Sequence, residues 1–131
     1  MTVTADDPTT AATRAVLDRY EHELYEARDL SLIPELLADP MYRHDAGGKV
    51  TALTNADCAA RIGGFFEAFR LLTFRTIHLI TQRAVASWTY ELTLTANDGV
   101  ETVMSSIETF LVRDGQITDV WNAEHTQGPW A

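Results

Sequence analysis

The chain has 131 residues, 46% of them apolar, with ten basic side chains against nineteen acidic ones and a formal charge of −9. That length fits one domain, which buries roughly two thirds of the surface its unfolded form exposes, and no apolar run approaches the ~20 residues that cross a bilayer. Scattered arginines and a single lysine, Lys49, leave no basic patch against the acidic background, which argues against nucleic acid or an anionic membrane as partner and favours a neutral or small ligand.

Residues 1–9 are polar, lack the basic start and apolar core of a signal peptide, and read as a flexible tail ahead of one domain over 10–131. From Thr10 to Arg28 the apolar residues Ala12, Val16, Tyr20 and Leu24 recur every four positions, which predicts a first helix. The stretch "DLSLIPELLADP" predicts a short second helix, capped by Asp29 or Ser31, with Pro34 in its first turn and Pro40 as its stop. "MYRHD" then reads as a short strand entering the "AGG" turn. "TNADCAARIGGFFEAF" predicts a third helix capped by Thr54 or Asn55 and closed by Phe65, Phe66 and Phe69. Cys58 has no cysteine partner and no metal-ligand spacing around it, so it reads as a small buried residue in a reducing, cytoplasmic compartment.

Beyond Leu72 the pattern changes to strands: "TFRTIHLITQR", "AVASWTYELTLTA", "VETVMSSIETFLVR" and "QITDVWNAEH", rich in Thr, Val, Ile and aromatic residues. "AND-G" (Ala96 to Gly99) and "RDG" (Arg113 to Gly115) separate them as tight hairpin turns. The class is therefore α+β, with three N-terminal helices packed on an antiparallel sheet. Side chains alternate across a strand. Met104, Ser106, Glu108, Phe110 and Val112 share one face of the third long strand, and Trp88, Tyr90, Leu92 and Leu94 oppose Ser87, Thr89, Glu91 and Thr93 on the second. Periodicity alone places the apolar sets in the core and the glutamates in water. His22, His44, His78 and His125 have no metal-ligand spacing, and no glycine-rich phosphate loop or nucleophile elbow occurs, so no metal and no cofactor are expected.

This order of elements, ending in the hairpin F-x-x-x-D-G-x-I-x-x-x-W (Phe110, Asp114, Gly115, Ile117, Trp121), resembles the nuclear-transport-factor-2-like superfamily over about residues 10–125. The hairpin is similar to those of its SnoaL-like polyketide cyclases, ketosteroid isomerases and limonene-epoxide hydrolases. The resemblance implies a cone-shaped α+β barrel whose curved sheet encloses a deep pocket, and a small enzyme that moves protons on a hydrophobic carbonyl compound such as a polyketide or steroid-like intermediate. By similarity to the isomerases, Asp45 stands at the position of the catalytic base, while Tyr20 and a protonated Glu108 stand where two donors hold the enolate oxygen. His78, with Tyr25 and Glu26 at the end of helix one, is similar to the constellation of scytalone dehydratase, which implies His78 as an alternative base in an elimination. Against the epoxide hydrolases, Glu91 and Asn122 occupy the positions of two inward aspartates and Thr89 that of an arginine, which leaves that mechanism two charges short.

His44 and Asp45 alternate across a regular strand, so one faces the pocket unless a bulge brings both in. SnoaL-like chains often carry a histidine at this entry, which implies His44 as a further catalytic candidate. The same resemblance implies that Glu91, Asn122, Ser106, Met104, Phe110, Phe66, Tyr25 and Glu26 contact substrate. Trp88, Tyr90 and Trp121, read as aromatics of the convex face together with the terminal "TQGPWA", imply a homodimer. A non-catalytic ligand-binding or dimerisation module on the same fold is the competing class.

Overall fold

A computed structural model describes residues 7–131. Asp7 caps the first helix, accepting the Thr10 N–H at 2.9 Å, and α1 (Pro8–Arg19) starts with proline in its first turn, where a missing N–H costs nothing. Helical structure thus begins within the stretch read as a tail, whose residues 1–6 lie outside the described residues. The first helix does not stay α to Arg28. From Tyr20 to Glu26 it widens to a π-helix, and the Ala27 N–H reaches back to the His22 carbonyl at 2.9 Å. Side chains five apart diverge on an α-helix but share a face on a π-helix, and this is how Tyr20 and Tyr25 come together.

A short 3₁₀ turn (Leu30–Leu32) and α2 (Ile33–Leu36) replace the longer second helix, because the chain turns extended at Leu37. Strand β1 (Leu37–Asp45) is correspondingly longer than "MYRHD". It contains Pro40, whose peptide with Asp39 is cis. Proline has no N–H to give a ladder, and β1 leaves its register with the neighbouring strand between Leu37 and Tyr42. Gly47 and Gly48, at φ 97° and 92°, form the turn into β2 (Lys49–Leu53), a strand with no strong pattern in the sequence. Thr54 and Asp57 then form a reciprocal capping box at the start of α3 (Asn55–Ala68).

Strands β3 (Phe69–Gln82), β4 (Val85–Ala96), β5 (Glu101–Arg113) and β6 (Gln116–Asn122) follow as expected, β3 starting four residues early. The spatial order is β2-β1-β6-β5-β4-β3, with the two-residue β7 (Thr126–Gln127) paired to β5. The sheet is mixed: β1 runs parallel to β6, in contrast to the antiparallel expectation, because β1 and β6 are joined through a helix and four strands and not by a hairpin. It is curved and unclosed, with β2 and β3 as edges. The helices fill its concave side over Phe110, Leu24, Ile33, Leu36, Leu37, Ile117 and Val120, all but fully buried. No helix of the described residues is long and apolar enough to cross a membrane.

Two irregularities set which side chains face inward. Residue Ile77 is extra between the pairs Thr76↔Tyr90 and His78↔Thr89, so the alternation along β3 flips there. Between Asn122 and Thr126 the chain leaves the β6 line before rejoining the sheet as β7.

Arg28, at φ 60°, ties the end of the π-helix to the end of α3: its guanidinium donates to the carbonyls of Phe66 and Phe69 and lies 4.6 Å from the centre of the Phe66 ring. Those carbonyls belong to a helix terminus with no intrahelical partners. Replacement by methionine keeps the apolar stem and removes the charged donors, so R28M is expected to destabilise by on the order of 2 kcal/mol, read from urea unfolding midpoints.

Candidate active site

The concave face and the helices enclose a cavity of about 930 Å³ including its open mouth. Its walls are mostly apolar: Leu72, Phe74, Trp88 and Leu92 from the sheet, Ile62 and Phe65 from α3. On β4 the apolar set faces in, as periodicity predicts. On β5 the inward face carries Ser106, Glu108 and Phe110, so Glu108 is buried on the cavity wall.

Polar groups converge on Tyr90. Its hydroxyl makes a very short hydrogen bond to Glu108 Oε1 and lies 2.8 Å from His125 Nε2, which is itself 3.5 Å from Glu108 Oε1. Ser106 stands opposite Tyr90 on β5. Asn122 Nδ2 donates to Ser106 Oγ at 3.1 Å, Arg43 Nη2 donates to Asn122 Oδ1 at 3.1 Å, and Arg43 Nε lies 3.3 Å from Asp45 Oδ1.

This chain has one direction. Arginine only donates, so Arg43 fixes the carbonyl end of the Asn122 amide towards itself and the NH₂ end towards Ser106. Ser106 accepts from Asn122 and ends that line. Separately, Tyr90 gives its proton to Glu108, and the contact with His125 then requires a proton on His125 Nε2. Glu108 Oε1 is the terminal acceptor, and Oε2 is left to a ligand.

Tyr20 and Tyr25 face the same cavity, rings 5.0 Å apart, with the Tyr20 hydroxyl donating to that of Tyr25 at 3.4 Å. The Tyr25 proton is therefore directed to the cavity. Burial, reinforced by the nearby carboxylate of Glu108, raises the pKa of all three phenols; that of Tyr25 stands at about 12 even though the Tyr20 hydrogen bond and the Arg61 charge oppose the rise. They are donors throughout the neutral range.

Of the residues singled out in the sequence, Tyr20, Tyr25 and Glu108 meet at the cavity, with Ser106 and Asn122 in the chain beside it. Phe110 lies beneath it, 5.5 Å from the Tyr20 ring centre, and Phe66 packs edge-on to Tyr25. The remaining residues lie elsewhere. Asp45 lies outside the cavity, partly open to solvent, in a separate depression with Asn122 and Glu124. His44 faces the convex side, stacked on Trp121 at 4.5 Å with Nε2 2.8 Å from Asp119. The Ile77 bulge turns His78 to the convex side, where it is exposed. Glu91 also faces out, held by Arg75 Nε and Nη2 at 2.9 and 2.7 Å, and this pairing lowers its pKa. Glu26 accepts the Phe74 N–H and contacts His22, behind the cavity wall, and Met104 is half-buried beyond it. Trp88 and Tyr90 line the cavity and are not convex-face aromatics. The residues that the sequence reading missed are His125, Arg43 and Arg61. His125 reaches the cavity only through the departure from the sheet after Asn122, which leaves no periodic trace.

The sequence signature of the SnoaL-like domain matches residues 17–120. No curated protein sequence matches the chain. Solved structures of similar shape include a protein from Jannaschia sp. CCS1 described as a SnoaL-like polyketide cyclase (14% identity, 92% of this chain and 90% of that one, TM-score 0.74). An epoxide hydrolase of the limonene-epoxide-hydrolase-like type from M. tuberculosis superposes equally well (13% identity, 88% and 84%, TM-score 0.74). A protein from Acidithiobacillus ferrooxidans described as a polyketide cyclase gives a TM-score of 0.70 at 16% identity over 93% and 89% of the two chains. At these identities the likeness is one of fold.

The raised phenol pKa has a consequence for stability. A folded state that keeps Tyr25 protonated up to about pH 12 binds more protons than the unfolded chain, where the phenol titrates near 10. Stability from this source is complete below pH 10 and is lost as pH rises towards 12. The urea midpoint is expected to fall over that window, and Y25F to flatten the fall.

Proposed function

The chain belongs to the SnoaL-like domain family of the nuclear-transport-factor-2-like superfamily, and on that premise we propose that it is a small acid/base enzyme acting on a hydrophobic carbonyl compound of polyketide or steroid-like type. The observation that carries this reading is Glu108, held by the Tyr90 hydroxyl at the wall of an apolar cavity that Tyr25 also lines. Glu108 Oε2 takes a proton from the carbon next to the carbonyl. Tyr25, backed by Tyr20, donates to the oxygen on which the enolate charge develops; such preoriented donors act most strongly where water is excluded. The Glu108 carboxyl then returns that proton to another carbon of the enolate in an isomerisation, or gives it to the oxygen of the carbonyl that the enolate attacks in a cyclisation, which restores the carboxylate. His125 keeps its Nε2 proton on Tyr90.

The roles differ from the trio that resemblance to the isomerases implies. Glu108 accepts and does not donate, and it replaces Asp45 as base because Asp45 is turned to solvent beside Arg43. The dehydratase variant loses its histidine to the convex face, and the epoxide variant loses Glu91 to Arg75. Exposed Ile80, Ile107 and Trp121 on the outer side of the sheet support a homodimer.

The test is deuterium incorporation next to the carbonyl of a panel of hydrophobic enones and β-hydroxy ketones. E108Q is expected to lose roughly 10²- to 10⁴-fold in exchange rate while still binding ligand, and D45N to lose less than about tenfold. Exchange that survives in E108Q and disappears in D45N would return the base to Asp45. Ligands that bind the wild type without any exchange would identify a binding module.

A further inference from the structure

Two arginines line the cavity, and they are not equivalent. Arg43 is committed to Asn122 and Asp45. Arg61 comes from α3, whose residues Cys58, Arg61, Ile62 and Phe65 fall on one face at helical spacing and all border the cavity. It is exposed, and among the described residues its guanidinium makes no hydrogen bond and no ion pair. By contrast Arg19, Arg28 and Arg75 are each tied to a carboxylate or a carbonyl. The Arg61 charge nevertheless reaches inside the cavity: it opposes the upward pKa shift of both Tyr25 and Cys58. A cation with five unused donors therefore stands at the rim of an apolar cavity, near Tyr25, in a chain of net charge −9.

We propose that Arg61 is an anion-binding subsite, and that the ligand of this cavity is a hydrophobic carbonyl compound bearing a carboxylate. The apolar body lies against Phe74, Trp88 and Ile62, and the carboxylate meets the Arg61 fork at the rim. Planar guanidinium and carboxylate match in two parallel hydrogen bonds. An ester or an alcohol at the same place gives up those charge-assisted bonds. This substrate class rests on the proton-transfer reading for the choice of a carbonyl compound, but the subsite itself is a matter of binding alone.

A matched pair separates the two. The probes are 4-(2-naphthyl)-4-oxobutanoate and its methyl ester, whose dissociation constants are measured by calorimetry with wild type, R61Q, R61K, R75Q and E108Q. Wild type is expected to bind the acid roughly tenfold more tightly than the ester, and the preference is expected to shrink as salt rises. In R61Q the ratio falls to about one with ester affinity unchanged, and R61K keeps part of it as a point charge. R75Q, altered on the convex face, and E108Q keep the ratio at or above the wild-type value. No binding of the acid, equal binding of acid and ester by wild type, or an acid preference that persists in R61Q would each overturn the assignment. Loss of proton exchange in E108Q leaves the ratio intact, so failure of the proton-transfer reading and failure of the subsite are told apart.

Discussion

A hydroxyl carries one proton, and the polar half of this cavity depends on where Tyr90 sends its own. Glu108 and His125 meet it directly, and Ser106, with Asn122 behind it, stands opposite on β5. Arg43, obliged to donate, fixes the roles of Asn122 and Ser106 alongside. Buried polar networks of this sort are stable when complete and costly when one member is missing. The wall beside the ligand is therefore held as a unit, with an acceptor at Glu108 and a donor at Tyr25, and the apolar remainder of the cavity has only shape to contribute.

Reaching that arrangement takes three departures from regular structure. The π-turn at Tyr20–Glu26 superimposes two tyrosines that an α-helix would separate. The bulge at Ile77 keeps Phe74 inside and sends His78 out. The excursion between β6 and β7 swings His125 over the open end of the sheet, and the terminal residues fasten it: the Trp130 indole donates to the Tyr90 carbonyl at 3.0 Å and its backbone N–H to Glu91 at 3.0 Å. Glu91 thus serves the outer face, joining Arg75 to the chain terminus behind the residue that carries the network.

The elements that were legible in the sequence are those written locally. Helix one, the Thr54 cap, four long strands and the two Gly-bearing turns follow from spacing and turn chemistry over a few residues. What was not legible depends on partners far away in the chain: the β2 strand, the parallel pairing of β1 with β6, and the inward or outward sense of each glutamate. Glu91 and Glu108 both alternate with apolar neighbours. Glu91 faces out because Trp88, Tyr90 and Leu92 compete for the core, whereas Glu108 shares its face with Phe110 and is taken in with it. The hairpin resemblance identified the cone and its pocket, but a motif in β5 and β6 carries no information about a bulge in β3, so His78 was misplaced.

A carboxylate on an apolar wall is stable only if its surroundings compensate the water it loses. Near Glu108 the compensation is graded. The Tyr90 hydroxyl donates to it directly, and His125 holds a proton within 3.5 Å. Arg43, Asn122 and Ser106 form a second donor line alongside. None of these partners occupies the second carboxylate oxygen. An aspartate at position 45, by contrast, is neutralised by an adjacent guanidinium and open to water, which satisfies the charge and removes the reason for it to take a proton from carbon. On the proposed reading, the base has moved to the strand where a tyrosine donor holds it, and the acid outside the cavity has become the anchor of Arg43.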